Sequence, residues 1–318
     1  MSVKSELKNF FTDHWKYMAV SAACKLNLFD EVKQGFNPGE IAERNQWDLK
    51  QLTVLFDALS EIEFLIKTEN GFQLNERSKL LTEGHEDSLK YACLNWSDEH
   101  LTSWQNLDFS IRTGQSSFEE FFKVPFFEYL KKKPQKLDSY HKAMQEYAKD
   151  DYQKLTNLID FSRHKSVMDV GGGYGVVLKR IQSKNMNVQC ILFDLKEVVD
   201  KVKIPSIKII GGDFFKEIPK VAESIILSRV LHDWSDVHAS IILKNCYSAL
   251  PKKGTLYLIE NFADEISDIS FLSLSMTVIC ESFERSKSEY INLLTNHKFK
   301  ITEINKLNSL QYIITARK

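Results

Sequence analysis

A glycine-rich turn between an apolar run and a helical segment constrains this chain more than any other feature. Residues 166–170 are largely apolar, the turn DVGGGYG follows at 169–175, and a helix begins near Val176. Glycine lets the backbone turn tightly at a strand end and approach a ligand beside a helix N-terminus. The pattern therefore predicts the first strand, turn and helix of an open α/β sheet that binds a nucleotide-like cofactor. Val176 stands where a dinucleotide fingerprint needs a third glycine, which disfavours NAD.

Short apolar and β-branched runs alternate with helical segments through the rest of the chain. This alternation predicts a mostly parallel, doubly wound α/β sheet. A capping box, Ser286 with Glu289, predicts the last helix. The link at 306–309 is too short for a parallel crossover, so the last two strands should form a hairpin. The predicted strands are 166–170, 189–193, 207–210, 224–230, 255–259, 300–304 and 310–315.

Acidic residues follow the second and third predicted strands. Asp194 lies where an acid accepts hydrogen bonds from both hydroxyls of a ribose, although a helix N-cap would explain it equally well. Asp213 follows two glycines and can accept from an adenine amino group, and Phe214 can cover the face of the base. The first of three successive strand ends carries a glycine-rich turn, and the next two each carry an acid. Together these features indicate a cofactor site more strongly than any one of them.

A histidine follows the fourth predicted strand. His232 lies in the segment LHDWSD at 231–236, at the carboxyl edge where open α/β sheets place their ligands. A lone histidine is more often a hydrogen-bonded structural residue. The position at a strand end favours general acid–base chemistry instead, because imidazole changes charge near neutral pH.

Residues 13–93 have the pattern of a small helical domain. Residues 38–42 and 49–59 predict two helices joined by a short turn. Residues 64–68 and 72–74 predict a hairpin around a tight turn. Helix, turn, helix and hairpin together suggest a winged-helix shape.

The charge of this domain favours a dimer-forming scaffold over DNA binding. Residues 40–66 hold two basic residues and six acids, which would repel phosphates. An apolar stripe precedes them and has no obvious partner in these acidic helices. The stripe predicts a homodimer with an interface above roughly 2,000 Å² and no stable folded monomer. It consists of Trp15, Met18, Ala19, Ala22, Ala23 and Leu26.

Residues 94–150 are rich in aromatic side chains. Ordinary core packing is the more common explanation for any single one of them. As a group they are also typical of a pocket for a flat ligand. The group is Trp96, Trp104, Phe109, Phe118, Phe121, Phe122, Phe126, Phe127, Tyr129, Tyr140 and Tyr147, with Met144 beside them.

Charge, cysteine content and hydropathy narrow the class of protein further. The 42 Lys and Arg residues nearly balance the 43 Asp and Glu residues, so no nucleic acid or anionic membrane partner is expected. The five cysteines lie far apart without a Cys-x-x-Cys, which indicates neither a disulfide framework nor a zinc site. No apolar run approaches the roughly 18 residues of a membrane span. We therefore expect a cytoplasmic protein without a bound metal.

Four motifs together resemble one family. DVGGGYG at 169–175, FDL at 193–195, GDFF at 212–215 and LHDWSD at 231–236 are similar to the motifs of class I S-adenosylmethionine-dependent small-molecule O-methyltransferases. The plant caffeate and flavonoid, acetylserotonin and bacterial aromatic polyketide or phenazine enzymes are the nearest types, and the resemblance covers nearly the whole chain.

The resemblance implies a fold in three parts. Residues 1–95 would form a mostly helical, winged-helix-like dimerisation domain. Residues 96–155 would form a helical linker and substrate-pocket segment. Residues 156–318 would form a Rossmann-like, seven-stranded methyltransferase sheet with the last strand antiparallel, which binds S-adenosylmethionine.

The resemblance also implies roles for individual residues. His232 matches the general base, and Glu260 and Glu284 match two glutamates that flank it and fix its tautomer. The implied cofactor-binding residues are Gly171, Gly173, Asp194, Leu195, Asp213, Phe214 and Ser228. The implied substrate-pocket residues are Trp104, Phe122, Met144, Asp233 and Met276.

The sequence departs from the family pattern at two places. Ser228 stands where plant members carry a lysine near the adenine. Glu281 and Ser282 replace the usual pair of glycines before the segment that contains Glu284.

The expected activity is transfer of the S-adenosylmethionine methyl group to a hydroxyl of an aromatic or polyketide-like small molecule. Methylation of nitrogen or carbon is an alternative, since such acceptors can react without a base. A winged-helix regulator that senses the cofactor without turnover is a second alternative, which the acidic helices disfavour.

Overall fold

The structure is a computed structural model that describes residues 2–280 and 282–318. Glu281, one of the two departures from the family pattern, lies outside the described residues. The chain divides into two compact units, one of residues 1–101 with 142–147 and one of residues 102–141 with 148–318. The domain limits drawn from the sequence remain a prediction.

The first unit is mostly helical and contains the predicted hairpin. Its fourth helix begins at a capping box in which Asn37 and Glu40 exchange side chain to backbone hydrogen bonds of 3.1 and 2.8 Å. The two predicted helices and the hairpin after them are confirmed. The elements are α1 Val3–Thr12, α2 His14–Lys25, α3 Leu28–Lys33, α4 Pro38–Asn45, α5 Leu49–Glu61, β1 Leu65–Thr68, β2 Gly71–Leu74, α6 Glu76–Lys79 and α7 Lys90–Ser97.

The predicted apolar stripe of α2 packs partly within its own unit. Ala23 is fully buried in a core with Leu28 and Phe56, whereas Trp15 remains 65% exposed. The expectation that the whole stripe lacks a partner in the chain is therefore wrong, because α2 lies against α5 and α7. A larger exposed apolar surface lies on α1, which buries none of its residues.

The second unit contains the predicted α/β sheet, preceded by short helices. These helices are α8 Glu99–Trp104, α9 Leu107–Thr113, α10 Ser117–Phe122, α11 Phe126–Lys131, α12 Pro134–Asp151 and α13 Leu155–Leu158. The helices between and around the strands are α14 Val176–Lys184, α15 Lys196–Val199, α16 Asp236–Ala249, α17 Ser270–Cys280 and α18 Lys287–Asn296. Part of α12, residues 142–147, groups with the first unit.

Over the described residues the sheet has seven strands in the order β5-β4-β3-β6-β7-β9-β8. β9 runs antiparallel to both of its neighbours, and the remaining neighbours pair in parallel, as predicted. The strands are β3 Ser166–Val170, β4 Gln189–Asp194, β5 Ile207–Gly211, β6 Ser224–Ser228, β7 Thr255–Asn261, β8 Lys300–Lys306 and β9 Gln311–Arg317.

One strand end differs from its prediction. β6 ends at Ser228 instead of Val230, because Arg229 adopts a left-handed conformation with φ of 55°. The backbone N–H groups of Val230 and Leu231 then donate to the carboxylate of Glu260. A side chain thus replaces the neighbouring strand as their partner.

Both faces of the sheet are buried. Along β3, Met168 and Val170 join the core on one face, and Val167 joins the core on the other. The chain order reverses between β3 and β6, which is the kind of position where open α/β sheets bind ligands. No helix among the described residues is both long and apolar enough to cross a membrane.

Candidate active site

The glycine-rich turn forms a tight, concave backbone at the carboxyl end of β3. Gly171, Gly173 and Gly175 adopt φ values of +72°, +54° and +72°, which side-chain-bearing residues rarely adopt. A residue larger than glycine does not fit at position 172, since an added Cβ would lie 2.5 Å from a carboxylate oxygen of Asp169. Glycine at these positions therefore allows a backbone path at this edge of the sheet that residues with side chains would not adopt.

Asp169 lies beneath this turn and was not among the predicted site residues. It is 1% exposed, and neither carboxylate oxygen has a hydrogen-bond partner within the described part of the chain. Burial, with a smaller effect of Asp194, raises the pKa of Asp169 to about 7. A buried acid without a partner suits a cationic or donor group of a ligand. The signal in the sequence was an acid inside an otherwise apolar strand.

Asp194 joins the end of β4 to the glycine-rich turn. One of its carboxylate oxygens accepts from the backbone N–H of Gly173 at 2.8 Å, and the other accepts from the N–H of Leu195 at 2.6 Å. Burial raises the pKa of Asp194 to about 6, and the two N–H donors oppose this effect. The structure thus brings together Gly173, Asp194 and Leu195, three of the predicted cofactor residues.

The other predicted cofactor residues have different surroundings. A Cβ added to Gly171 would lie 3.5 Å from the ring of Phe214, so this ring packs against the glycine-rich turn. Asp213 accepts a hydrogen bond of 2.9 Å from the N–H of Phe215 and stabilises the turn after β5. Ser228, the first departure from the family pattern named above, shares a hydrogen bond of 2.8 Å with the hydroxyl of Tyr152.

His232 lies in a short 3-10 turn, Leu231–Asp233, after β6. Its Nδ1 is 3.2 Å from Oε1 of Glu284, and its Nε2 is 3.4 Å from Oδ1 of Asp233. Burial and the charge of Arg229 lower the pKa of His232, but the carboxylates of Asp233 and Glu284 outweigh them. The net pKa therefore lies above the ordinary value of 6.5.

The carboxylate of Glu284 lies beside the imidazole and is ionised. Burial raises its pKa, but Arg229 and His232 outweigh this effect and bring the pKa to about 2. Arg229 donates to the same Oε1 atom at 3.1 Å and was not predicted as a site residue. Because an ionised carboxylate only accepts, Nδ1 of His232 donates to it, which leaves Nε2 to accept a proton.

Glu260 does not hydrogen-bond to the imidazole, contrary to the expectation that it fixes the ring. Its Oε1 atom accepts from the backbone N–H groups of Val230 and Leu231 at 3.1 and 2.8 Å. It therefore holds the backbone that precedes His232. Sequence reasoning could match Glu260 to a position but could not tell whether its partner is a side chain or the main chain.

The predicted substrate residues lie in several different parts of the structure. Asp233 lies beside His232, and Met276 is buried on α17, where its carbonyl oxygen accepts from the N–H of Ser282 at 3.5 Å. Trp104 and Phe122 pack in an aromatic cluster of the second unit. Met144 belongs to the part of α12 that groups with the first unit.

Two residues of the predicted aromatic group, Phe127 and Tyr140, lie near the histidine turn. The ring of Phe127 stacks on Trp234, with 5.2 Å between ring centroids, and packs against Tyr140. Burial raises the pKa of Tyr140 well above its usual range, and Asp233 adds to this effect. The hydroxyl of Tyr140 therefore stays protonated. Nothing in the sequence pattern separated these residues from ordinary core.

Within the described ranges no cluster of acids, histidines and cysteines is placed to hold a metal ion.

Comparison with protein families identifies the chain. Residues 104–300 match the O-methyltransferase domain, and residues 9–84 match the O-methyltransferase dimerisation domain. The chain belongs to the O-methyltransferase family. As a member of this family it is a methyltransferase that uses S-adenosylmethionine, and its dimerisation domain makes it a homodimer.

Individual relatives match this chain over most of their length. The phenazine O-methyltransferase PhzM of Lysobacter antibioticus is 29% identical over 99% of this chain and 96% of its own. The caffeic acid 3-O-methyltransferase 3 of Populus kitakamiensis is 31% identical over 79% and 72% of the two chains. The crystal structure of human N-acetylserotonin methyltransferase with S-adenosylmethionine superposes with a TM-score of 0.90 at 25% identity, over 100% and 98% of the two chains.

Proposed function

We propose that this O-methyltransferase methylates a hydroxyl of an aromatic small molecule and that His232 is its general base. One observation carries the proposal. An ionised, buried carboxylate binds Nδ1 of His232 at 3.2 Å, and this leaves Nε2, which lies 3.4 Å from Oδ1 of Asp233, to take a proton at the carboxyl edge of the sheet. Neighbouring aromatic rings suit a flat acceptor.

The residues around the glycine-rich turn fit S-adenosylmethionine. Asp169 supplies a buried acid that has no hydrogen-bond partner among the described residues, and a cationic group of the cofactor would provide one. Asp194 would hold the ribose, and Asp213 with Phe214 would hold the adenine. When bound, the cofactor supplies a methyl group on a sulfonium, which is a good leaving group. The chain's own residues then have to align the acceptor, remove its proton and exclude water.

The surroundings of His232 adapt it to a weakly acidic acceptor. A phenol with a pKa near 10 and a histidine near 6.5 differ by about 3.5 units, or roughly 5 kcal/mol. Asp233 and Glu284 raise the pKa of His232 and so narrow this gap. The gap that remains favours proton removal concerted with attack on the methyl group, and a more acidic, conjugated hydroxyl would reduce the gap further.

A panel of acceptors tests the substrate class. Relatives act on phenazine, caffeic acid and flavonoid compounds, as their names state, so the panel contains 1-hydroxyphenazine, caffeic acid and myricetin. Each is paired with its O-methyl ether and with an amino analogue. Mass spectrometry should find one added methyl on the hydroxyl compounds. Methylation of the amino analogues alone would overturn the O-methylation of an aromatic acceptor.

We also propose a reducing, cytoplasmic location. The five cysteines, all within the described ranges, are free thiols, and thiols persist in reducing compartments. Thiol counting on protein isolated with rapid alkylation should give five free thiols and cell fractionation should place it in the cytosol. Recovery in an oxidising compartment would contradict the proposal.

A further inference from the structure

The second departure from the family pattern lies against the turn that holds His232. Ser282 is 3% exposed, and its hydroxyl lies 2.6 Å from the carbonyl oxygen of His232 and 3.2 Å from that of Trp234. Glycine or alanine at this position would have no hydroxyl to donate. Ser282 therefore supplies a buried hydrogen bond to the main chain of the proposed base.

The rest of the turn is held by the same segment and by β7. Arg285 donates to the carbonyl oxygens of Leu231 and Trp234 at 2.8 and 2.6 Å. Glu260 accepts the N–H groups at the start of the turn. Without Ser282, the carbonyl of His232 would lack the one side-chain donor that the structure gives it among the described residues.

The same short segment also carries the carboxylate that binds the ring. Glu284 contacts Nδ1 of His232 two residues after Ser282 contacts the carbonyl of the same histidine. Ser282 itself is fixed, because Thr277 donates to its carbonyl oxygen at 3.1 Å. The main chain and the side chain of His232 are thus both bonded to residues 282–284, so this one segment helps to set the distance between the imidazole and the carboxylate.

We infer that Ser282 is a positioning residue for His232. This inference rests on the proposed role of His232 as the base. Ser282 acts by fixing the turn, so that the imidazole stays in contact with Glu284 and presents Nε2 to the acceptor. A displacement of about 1 Å in such a group can cost up to 10²-fold in rate.

Kinetics of four proteins test the inference: wild type, Ser282→Ala, His232→Ala and the double variant. With the fastest acceptor of the panel, Ser282→Ala should lower kcat about tenfold and leave the KM for S-adenosylmethionine unchanged, because one misplaced base slows only the chemical step. In the His232→Ala background the same substitution should change the single-turnover rate less than about twofold.

Each outcome is distinguishable. If His232→Ala keeps the wild-type rate, the proposed function fails, whatever Ser282 does. If His232→Ala is slow but Ser282→Ala is not, the inference fails and the proposed function stands. If Ser282→Ala lowers the rate by the same factor with and without His232, Ser282 does not act through His232 and the inference also fails. Ser282→Gly repeats the test in case the alanine variant does not fold.

A second measurement needs no acceptor. The charged groups around His232 are Arg229, Asp233, Glu260 and Glu284. Proton NMR of protein labelled with ¹³C-histidine should show a lower pKa for His232 in Ser282→Ala, because contact with Glu284 raises that pKa.

Ser224→Ala is the matched control. It removes another fully buried serine hydroxyl that donates to a carbonyl, that of Ser166, at the opposite edge of the sheet. Its kcat and the pKa of His232 should match the wild type. An unchanged pKa in Ser282→Ala would overturn the positioning role.

Discussion

Buried carboxylates differ in charge according to their immediate partners. Glu284 lies beside Arg229 and His232, so it is ionised despite burial. Asp194 has only two backbone N–H donors, and Asp169 has no partner among the described residues, so burial raises the pKa of both. The acid beside the histidine is therefore charged at all moderate pH values, whereas the acids beside the glycine-rich turn titrate near neutrality.

Substitution of Glu284 by Gln should move the pH dependence of catalysis. The base must be neutral, so kcat/KM rises as the pH rises through the pKa of His232. Glu284 raises that pKa, so its neutral replacement should shift the acidic limb to lower pH. Steady-state rates between pH 5 and 9 measure the shift. Glu223→Gln, at the opposite edge of the sheet, is the control, and an unmoved limb would contradict the role of Glu284.

Affinity for S-adenosylmethionine should depend on the ionisation of Asp194. Because its pKa is about 6, the carboxylate becomes protonated as the pH falls below that value. The affinity for S-adenosylmethionine should then fall by up to about tenfold per pH unit. Asp169 titrates in the same direction, so Asp194→Asn isolates the Asp194 part. Calorimetry from pH 5 to 8 measures both proteins. Equal pH dependence in the variant would refute the ribose assignment.

At the scale of elements, the turn after β6 explains how the site is assembled. Its N–H groups bind Glu260 of β7, and its carbonyl groups bind Ser282 and Arg285 before α18. The backbone groups of four residues, Val230, Leu231, His232 and Trp234, are thus bonded to side chains instead of to a strand or a regular helix. This arrangement keeps His232 at the sheet edge without exposing backbone polar groups.

The turn between β3 and α14 should not tolerate a larger residue. Gly172→Ala would place its Cβ 2.5 Å from Asp169 and 2.7 Å from Leu192. Relief of that overlap should cost about 1–3 kcal/mol of unfolding free energy and distort the cofactor site. Denaturant unfolding and calorimetry with S-adenosylmethionine should show lower stability and weaker binding. Wild-type values in both measurements would show that the turn is less confined than the structure indicates.

The strands of the sheet could be predicted from the sequence, but several side-chain contacts could not. All seven strands of the sheet were predicted because alternation, glycine and acids at strand ends are local signals. The end of β6 was misplaced because Glu260, about 30 positions away, supplies the hydrogen bonds that stop it. Likewise the partners of Asp169, Arg229 and Ser282 depend on which distant segments meet, and one sequence does not contain that information.

At the scale of the whole molecule, the dimerisation domain has one conspicuous surface. α1 exposes Val3, Phe10 and Phe11 by 72%, 71% and 65%, and buries none of its residues. Trp15 continues this apolar surface at the start of α2. Exposed apolar area of this kind favours association, and in a homodimer the same surface occurs on both subunits.

Substitution of Phe10 by Glu should weaken the dimer. A charge at the centre of this surface would have to be buried on association, so the dissociation constant should rise at least about tenfold. Light scattering over a dilution series measures the constant. Met186→Glu, which changes an 84% exposed apolar residue of the second unit, should leave it unchanged. If Phe10→Glu left the dissociation constant unchanged, the dimer interface would lie elsewhere.

The role of His232 as the base is tested most directly by His232→Gln in single-turnover experiments with saturating S-adenosylmethionine and the best hydroxyl acceptor. The rate of methyl transfer should fall about 10²- to 10⁴-fold, with unchanged cofactor affinity, since a positioned base contributes that much. His164→Gln is the control, because His164 binds Tyr257 at the far edge of the sheet. A wild-type rate in His232→Gln would contradict the assignment and favour an acceptor that needs no base.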